Sequence, residues 1–287
     1  MRRAVIDIGT NTVKLLVADV QDGNIAPVVS KDRTTRLGEG AKETKRLSRV
    51  AIVRTIQTID DFLNEARHLG AQDVLTLTTS ATRDAENRDE FLDGVRCKCG
   101  LEVQVITGER EAELIFRGVS SDPEWSSQPI LVLDVGGGSA EFVQGQRGEI
   151  ERLQSLPLGA VRLTEQYAED FAALVGFLRE TMRRLLGGYD ARGRKTIGTG
   201  GTITTLARIE RGTVDRVTLS QEEVRGLVAR LNSLPLAERK KVPGLPPERA
   251  DIIVAGGAVF LAAMELLRAS ELTVSVRGLR YGALVAG

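Results

Sequence analysis

The feature that most constrains the fold is a motif that occurs twice along the chain. Residues 4–20 (AVIDIGTNTVKLLVADV) and 130–146 (ILVLDVGGGSAEFVQGQ) each combine two apolar segments with a turn of small residues. This pattern is typical of two β-strands joined by a tight turn. Placing Asp7 on Asp134 also brings the small turn residues of both copies into register. The repeat therefore predicts a duplicated lobe, with a ligand-binding cleft between the copies.

The remaining sequence predicts mixed α/β structure in both halves. Apolar periodicity predicts helices between the strands, and Ser220 with Glu223 forms a capping-box pattern at a helix start. Residues 251–255 (DIIVA) read as a strand. The polar segment 120–129 marks a domain boundary, so we predict lobes at 1–122 and 123–287, with the last short helix as a candidate to pack back on the first lobe.

Composition excludes several classes of function. Lys plus Arg and Asp plus Glu both number 39, so no overall positive field attracts nucleic acid. A zinc site is disfavoured because the chain has one His and two Cys, Cys97 and Cys99. No signal peptide and no apolar run of membrane-spanning length is recognisable. We therefore expect a cytoplasmic protein that binds neither DNA nor membranes.

Three turns of small residues are candidates for phosphate binding. Glycine lets a ligand approach backbone N–H groups closely, and neighbouring hydroxyls add donors. A tight hairpin is the alternative reading of any single turn. The predicted phosphate-binding residues of the turns are Gly9, Thr10, Asn11, Thr12, Gly136, Gly137, Gly138, Ser139, Gly200, Gly201 and Thr202.

Three acids stand at the edges of apolar strands, where an unpaired carboxylate is unfavourable. Asp7, Asp134 and Glu141 are therefore candidate ligands of Mg²⁺ or Mn²⁺, shared with substrate phosphate oxygens. Alternatively, the acids bond turn N–H groups or pair with Lys14 or an arginine. Lys14 is itself a candidate phosphate ligand.

Two further charged residues lie at predicted helix starts. Arg83 follows an apolar strand, where a guanidinium would grip phosphate in a bidentate fork. Glu111 lies in the first turn of a helix, where acids are also favoured by the helix dipole alone. The basic residues of 31–54 and 192–195 are candidate guides for an anionic substrate, although most such runs are solvated faces.

With these residues, the chain resembles the exopolyphosphatase/guanosine pentaphosphate phosphohydrolase (Ppx/GppA) family. The resemblance covers nearly the whole chain, and its narrowest segments are TTSATRDAEN and TGEREAELIF. It implies two ribonuclease H-like lobes of the actin, chaperone and sugar-kinase superfamily. It also implies a short two-domain member without the C-terminal HD-like domains.

The resemblance also implies roles for individual residues. Glu111 is similar in position to the family's general base, and Arg83 to its phosphate-gripping arginine. Asp134 and Glu141 match its metal-site acids, and the turns at 9–12 and 136–139 match its phosphate loops.

The expected activity is release of terminal orthophosphate from inorganic polyphosphate, from pppGpp or from both, by a Mg²⁺-dependent homodimer. One alternative is an ATP-dependent kinase or nucleotide switch of the same superfamily. Another is a non-catalytic sensor of (p)ppGpp or polyphosphate. The sequence leaves open the choice of substrate, the preferred chain length and the role of the two cysteines.

Overall fold

The computed structural model describes residues 1–21, 23–167 and 170–286. Its contacts divide the chain into two units, Met1–Ser121 with Arg277–Gly287, and Asp122–Val276. The predicted boundary falls next to the observed one, whereas the C-terminal segment belongs to the first unit, on which its helix packs. No helix of the described residues combines the length and hydrophobicity that crossing a membrane requires.

The first unit contains a five-stranded mixed sheet in the order β3-β2-β1-β4-β5. The first three strands are antiparallel neighbours, and β4 and β5 continue the sheet in parallel. Its strands are β1 (Arg2–Ile8), β2 (Thr12–Gln21), β3 (Asn24–Thr34), β4 (Asp73–Thr78) and β5 (Gln104–Val105). Its helices are α1 (Ala41–Thr44), α2 (Arg49–His68), α3 (Ser80–Arg83), α4 (Arg88–Cys99), α5 (Gly108–Ser120) and α12 (Leu279–Ala286).

Helix α5 is held by a capped start and by a close contact with α12. The Thr107 hydroxyl accepts a hydrogen bond from the Arg110 N–H, which satisfies one donor of the first turn. A Cβ on Gly118 or Gly282 would overlap the backbone of the other helix, so the two helices meet without intervening side chains. The C-terminal segment therefore fixes the helix that carries Glu111.

The second unit contains a six-stranded mixed sheet in the order β10-β11-β9-β6-β7-β8. Its strands are β6 (Pro129–Val135), β7 (Ala140–Gln146), β8 (Glu149–Leu156), β9 (Lys195–Thr199), β10 (Thr218–Ser220) and β11 (Glu271–Val274). Its helices are α6 (Ala160–Tyr167), α7 (Phe171–Leu185), α8 (Gly200–Arg211), α9 (Gln221–Ser233), α10 (Leu236–Arg239) and α11 (Ile253–Leu267), with a 3₁₀ turn at Pro247–Arg249.

The two sheets share one topology over five strands, and β10 is an additional antiparallel strand at the edge of the second sheet. In each, an antiparallel meander of three strands places its first strand beside a parallel strand that arrives later in the chain. Asp7 and Asp134 occupy equivalent positions near the ends of β1 and β6. These observations confirm the predicted fold class, an α/β protein of two mixed sheets flanked by helices.

Some local predictions differ from the structure. Residues 251–255 do not form a strand, because Ile253 begins the buried helix α11. A short apolar run does not distinguish a buried strand from a buried helix. Strands β3 and β8 were not predicted from the sequence; their residues are mostly exposed or half-buried, and Pro27 interrupts the apolar stretch of β3. By contrast, the capping box of Ser220 and Glu223 is confirmed.

Candidate active site

The turn between β1 and β2 is held by a segment that follows β3. The Gly38 N–H donates to the Thr10 carbonyl oxygen at 2.9 Å, and the N–H groups of Thr35 and Arg36 both donate to the Asn11 carbonyl oxygen at 2.9 Å. The Thr10 hydroxyl lies 3.0 Å from the Ser80 hydroxyl at the start of α3. The carbonyl side of this turn is therefore occupied by the protein itself.

The turn between β6 and β7 is backed in the same way by the start of α6. The carbonyl oxygens of Gly136 and Gly137 accept hydrogen bonds from the N–H groups of Ala160 and Val161, each at 2.9 Å. The Gly138 carbonyl oxygen accepts from Nε of Arg162 at 3.0 Å. Three successive carbonyl groups therefore face α6.

The backing of the two turns determines where their N–H groups point. A trans peptide holds its C=O and N–H on opposite sides. Since the carbonyls face the backing segments, the N–H groups of Asn11 and Thr12 in one turn, and of Gly137, Gly138 and Ser139 in the other, point the opposite way. Successive N–H groups with one direction form an anion-binding nest. Each unit thus carries one such nest of its own.

The reason for glycine differs between the turns. Gly200 has a φ of +88°, a conformation that favours glycine. At Gly9 the space is tight, because a Cβ would lie 3.1 Å from the Thr12 carbonyl oxygen, whereas a Cβ on Gly136 would make an ordinary contact of 3.4 Å with the Ser139 carbonyl oxygen. The turns are therefore shaped by close backbone packing as well as by conformational freedom.

In the first unit, Asp7 is surrounded by positive charge. It lies directly opposite Lys14 in the β1–β2 pair, so both side chains share one face of the sheet. Burial raises the pKa of Asp7, and the charges of Lys14 and Arg280 oppose that shift. The carboxylate therefore has cationic partners within its own unit.

In the second unit, the equivalent positions carry two acids. Asp134 lies directly opposite Glu141 in the β6–β7 pair, on one face of the sheet. Glu141 is buried, and its Oε1 accepts a hydrogen bond from the Ser155 hydroxyl at 2.7 Å. A Cβ on Gly200 would overlap Asp134 Oδ1, so this carboxylate lies at the start of α8. Two carboxyl groups therefore share this face of the sheet.

A second pair of equivalent positions shows the same asymmetry. Arg280 Nη1 donates to the Leu15 carbonyl oxygen at 2.6 Å, whereas the Tyr189 hydroxyl donates to the Phe142 carbonyl oxygen at 3.3 Å. Leu15 and Phe142 are equivalent in the two meanders. Burial raises the pKa of Tyr189 to about 12, so its hydroxyl is neutral at physiological pH. The Leu15 carbonyl of the first unit is therefore bonded by a cation, and the equivalent Phe142 carbonyl of the second unit by a neutral hydroxyl.

The third predicted turn forms the start of α8. Thr202 is buried, and its hydroxyl donates to the Val135 carbonyl oxygen at 3.2 Å. A Cβ on Gly201 would overlap the guanidinium of Arg249, which sequence analysis did not select. The only signal for Arg249 was its place in the segment PERADIIVAGG, which the resemblance included.

Arg83 and Glu111 lie together in the first unit. Arg83 Nη1 is 3.6 Å from Glu111 Oε2 and donates to the Ile106 carbonyl oxygen at 3.0 Å. The side chain of Glu111 is only 10% exposed, whereas that of Arg83 is 26% exposed. A sheltered carboxylate beside a more accessible guanidinium suits proton transfer next to a bound phosphate.

The remaining predictions concern a metal site and the basic residues of the second unit. No set of three or more Asp, Glu, His or Cys side chains in the described ranges has the geometry of a metal site. In the 192–195 segment, Arg192 pairs with Asp190, Arg194 with Glu151 and Lys195 with Glu271. Each of these three basic residues therefore has an acidic neighbour.

Sequence reasoning missed the segments that back the turns. Residues 35–38 and 159–162 supply the N–H groups that fix the carbonyl side of each nest. A Cβ on Gly159 would overlap the backbone of Gly137 and Gly138. The available signal was a glycine in each backing segment, Gly38 and Gly159, with no ligand role of its own.

The fold and the site define the class of the protein. Two α/β units of one topology, each with a backed turn beside a buried acid, belong to the actin-like, ribonuclease H-like fold. The model of the Ppx/GppA phosphatase family matches residues 16–286, and the chain belongs to that family. It is therefore a hydrolase by class.

Individual relatives agree with this assignment. The chain is 33% identical over 301 residues to exopolyphosphatase 1 of Mycobacterium tuberculosis, covering 99% of this chain and 88% of that protein. It is 30% identical over 293 residues to the guanosine-5'-triphosphate,3'-diphosphate pyrophosphatase of Aeromonas salmonicida, covering 97% of this chain and 58% of that protein. The crystal structure of the Aquifex aeolicus Ppx/GppA family member superposes with a TM-score of 0.83 at 32% identity, covering 100% and 97% of the two chains.

Proposed function

We propose that this protein hydrolyses the terminal phosphoanhydride bond of inorganic polyphosphate, of pppGpp or of both, in a Mg²⁺- or Mn²⁺-dependent reaction. The family and its named relatives support the substrate class. The observation that carries the proposal is the pair of amide nests, one in each unit, each beside a buried acid. Such nests suit phosphate oxygens.

Phosphate binding is assigned to the two nests and to Arg83. The N–H groups of 11–12 and 137–139 donate to phosphate oxygens, and the Arg83 guanidinium adds a charge-assisted hydrogen bond. Since backing segments already fix both turns, little reorganisation is needed when phosphate binds. Thr202 is less suited to this role because its hydroxyl donates within the protein.

Proton transfer is assigned to Glu111. Its carboxylate accepts one proton of the attacking water, whose oxygen forms the new bond to the terminal phosphorus. The bond between that phosphorus and the bridging oxygen breaks, and the shortened chain keeps the bridging oxygen. Arg83, 3.6 Å from Glu111, would hold the carboxylate in place and donate to a phosphate oxygen.

The residues of the second unit fit a hard divalent cation. Like charges directly opposite each other in a sheet are destabilising, and a cation removes that repulsion. Asp134 and Glu141 would hold it, with carboxylate oxygens of the kind that Mg²⁺ prefers. When bound, the cation would neutralise charge on the phosphate oxygens. Asp7 fits this role less well, because the positive charges of Lys14 and Arg280 already act on it.

The test is orthophosphate release from polyphosphate of defined length and from pppGpp, with and without Mg²⁺. Glu111→Gln is expected to reduce turnover by roughly 10²- to 10⁴-fold, the usual contribution of a general base. Glu113→Gln is the matched control, because this residue lies on the same helix and pairs with Arg110 and Arg117. Absence of release from both compounds by the wild type would refute the proposed activity. Full turnover by Glu111→Gln would refute only the base.

A further inference from the structure

The last carbonyl of the second turn is held by a side chain rather than by the backbone. The N–H groups that the start of α6 directs at the turn end with that of Arg162, which donates to the Gly137 carbonyl oxygen at 3.2 Å. The next N–H, that of Leu163, donates to the Gly159 carbonyl oxygen at 3.0 Å and so begins the bonding of the helix itself. The Gly138 carbonyl oxygen instead accepts from Nε of Arg162 at 3.0 Å. Helix α6 therefore reaches this carbonyl through a side chain.

The equivalent carbonyl of the first turn has a different support. Asn11 corresponds to Gly138 when the two strand pairs are placed in register. The Asn11 carbonyl oxygen accepts two backbone N–H groups at 2.9 Å from the segment that follows β3. Glycine also has more backbone freedom than asparagine. The 138–139 peptide of the second turn thus depends on the Arg162 side chain for its orientation, whereas its counterpart is fixed by the backbone.

The bond from Arg162 acts on the N–H of Ser139, because one peptide unit joins Gly138 to Ser139. This planar unit holds its N–H opposite the carbonyl that faces α6, on the side where the nest donates to phosphate in the proposed function. An ionised donor gives a charge-assisted hydrogen bond, and a bond accepted by a carbonyl polarises the N–H of the same peptide. Ser139 is only 5% exposed. Arg162 also takes part in other interactions, and the effect on this peptide comes from the Nε bond alone.

We propose that Arg162 is a positioning residue of the second nest, which fixes the 138–139 peptide so that the Ser139 N–H donates to a phosphate oxygen. Arg162 lies on the carbonyl side of the turn and does not itself touch the phosphate. The proposal rests on the proposed function, since it names what aims one donor of that site. The ligand chemistry is a phosphate group with unbridged oxygens. Loss of Arg162 therefore weakens phosphate binding even where the fold is intact.

The test compares two arginines that each donate to a backbone carbonyl. Arg162→Met removes the Nε donor and keeps an apolar stem in this half-buried position. Arg2→Met is the matched control, because Arg2 Nη1 donates to the Leu69 carbonyl oxygen at 2.8 Å. Arg2 begins β1, whose other end leads into the first turn, so it lies away from both nests. Thermal denaturation first establishes that both variants are folded. If Arg162→Met is not folded, Arg162→Gln takes its place with the same expectations.

The full chain, labelled with ¹⁵N-serine, is then titrated with orthophosphate and followed by NMR. The Ser139 amide resonance is assigned by its absence from Ser139→Ala. In the wild type and in Arg2→Met, the Ser139 amide proton is expected to move downfield as it donates to the anion. In Arg162→Met, the Kd for orthophosphate should rise at least roughly tenfold, the scale of one hydrogen bond to a charged group. The downfield movement of Ser139 at saturation should also be smaller.

The proposal requires both changes in Arg162→Met. An unchanged Kd would overturn it, and so would a Ser139 movement at saturation equal to that of Arg2→Met, because the weakening would then not act through this peptide. A Ser139 resonance that does not respond to orthophosphate in the wild type would overturn it as well.

This binding test is separate from the test of the activity, because orthophosphate is not hydrolysed. A wild-type protein that releases no orthophosphate from polyphosphate or pppGpp would overturn the proposed hydrolysis, whereas the titration would still decide the role of Arg162. Conversely, normal hydrolysis by the wild type with unaltered phosphate binding by Arg162→Met would overturn the positioning role alone.

Discussion

The strand–turn–strand motif of the first unit and its counterpart in the second share a pairing register but differ in charge. Asp7 faces Lys14, whereas Asp134 faces Glu141. Arg280 donates a hydrogen bond to the carbonyl oxygen of Leu15, and Tyr189 donates one to the equivalent carbonyl oxygen of Phe142. The first motif therefore pairs an acid with a lysine. The second pairs two acids, and the group that bonds its carbonyl is a neutral hydroxyl.

The difference teaches that a duplicated scaffold can keep its pairing register while the charges beside its turns change. Both turns have their carbonyls tied to a backing segment, so both offer N–H groups to an anion. In the proposed function, the residue opposite the strand acid is what distinguishes the two turns. A lysine there offers the acid a positive charge, whereas a glutamate adds a second carboxylate, which would suit a cation.

The largest expected effect comes from neutralising the residue opposite the strand acid, Glu141 in the second unit and Lys14 in the first. Glu141→Gln should reduce Mg²⁺-dependent orthophosphate release roughly 100-fold or more, while raising the free energy of unfolding without Mg²⁺ by up to about 1 kcal/mol. The glutamine oxygen still accepts the hydrogen bond from Ser155. Chemical denaturation and a phosphate assay measure the two effects.

Lys14→Gln is the matched change in the first unit. It removes a cation from a buried acid and should lower the free energy of unfolding by about 1–3 kcal/mol. Opposite signs of the two stability changes would support the comparison. Stability changes of equal sign would show that the two positions are electrostatically alike.

The next effect concerns the segments that back the turns. Gly159→Ala pushes a methyl group into the backbone of Gly137 and Gly138 and should cost about 1–3 kcal/mol of stability as well as activity. Gly176→Ala is the control, because this glycine lies on the exposed face of α7 with open space around it. Thermal denaturation and orthophosphate release distinguish the two variants.

A smaller effect is expected at the equivalent support of the first turn. Gly38→Ala meets the methyl group of Thr10 rather than a backbone, so it should cost about 1 kcal/mol. Thr10→Ser removes that methyl group but keeps the hydroxyl beside Ser80. The double variant should regain most of the lost stability, and a failure to do so would show that the clash lies elsewhere.

The smallest expected effect is a pH dependence of stability that comes from Tyr189, the hydroxyl that bonds the Phe142 carbonyl. Burial raises the pKa of Tyr189 to about 12 in the folded protein, above the ordinary value of 10. The folded state thus favours the neutral phenol, and its contribution to stability is present below pH 10 and is lost as pH rises from 10 to 12. Tyr189→Phe should therefore lose less stability over this interval than the wild type. If urea denaturation shows that both proteins lose the same free energy of unfolding over this interval, Tyr189 is not the cause of the loss.

The sequence sufficed to predict features that local patterns determine. The duplicated motif, the register of Asp7 with Asp134 and the fold class follow from apolar alternation and turn residues close together in the chain. The charges around Asp7 could not be predicted from such patterns, because Arg280 lies in the last helix, α12, and bonds to β2. The backing of Gly137 by Gly159 likewise depends on contacts across the fold that no short pattern contains.

The most direct test of the account is the binding of Mn²⁺ to the full chain, measured by electron paramagnetic resonance. Wild type, Glu141→Gln and Lys14→Gln are compared without phosphate. If Asp134 and Glu141 hold the cation, Glu141→Gln should weaken binding at least roughly tenfold, and Lys14→Gln should leave it unchanged. Wild-type Mn²⁺ affinity in Glu141→Gln would contradict the assignment of the cation to the second unit, and tighter binding by Lys14→Gln would place the cation at Asp7 instead.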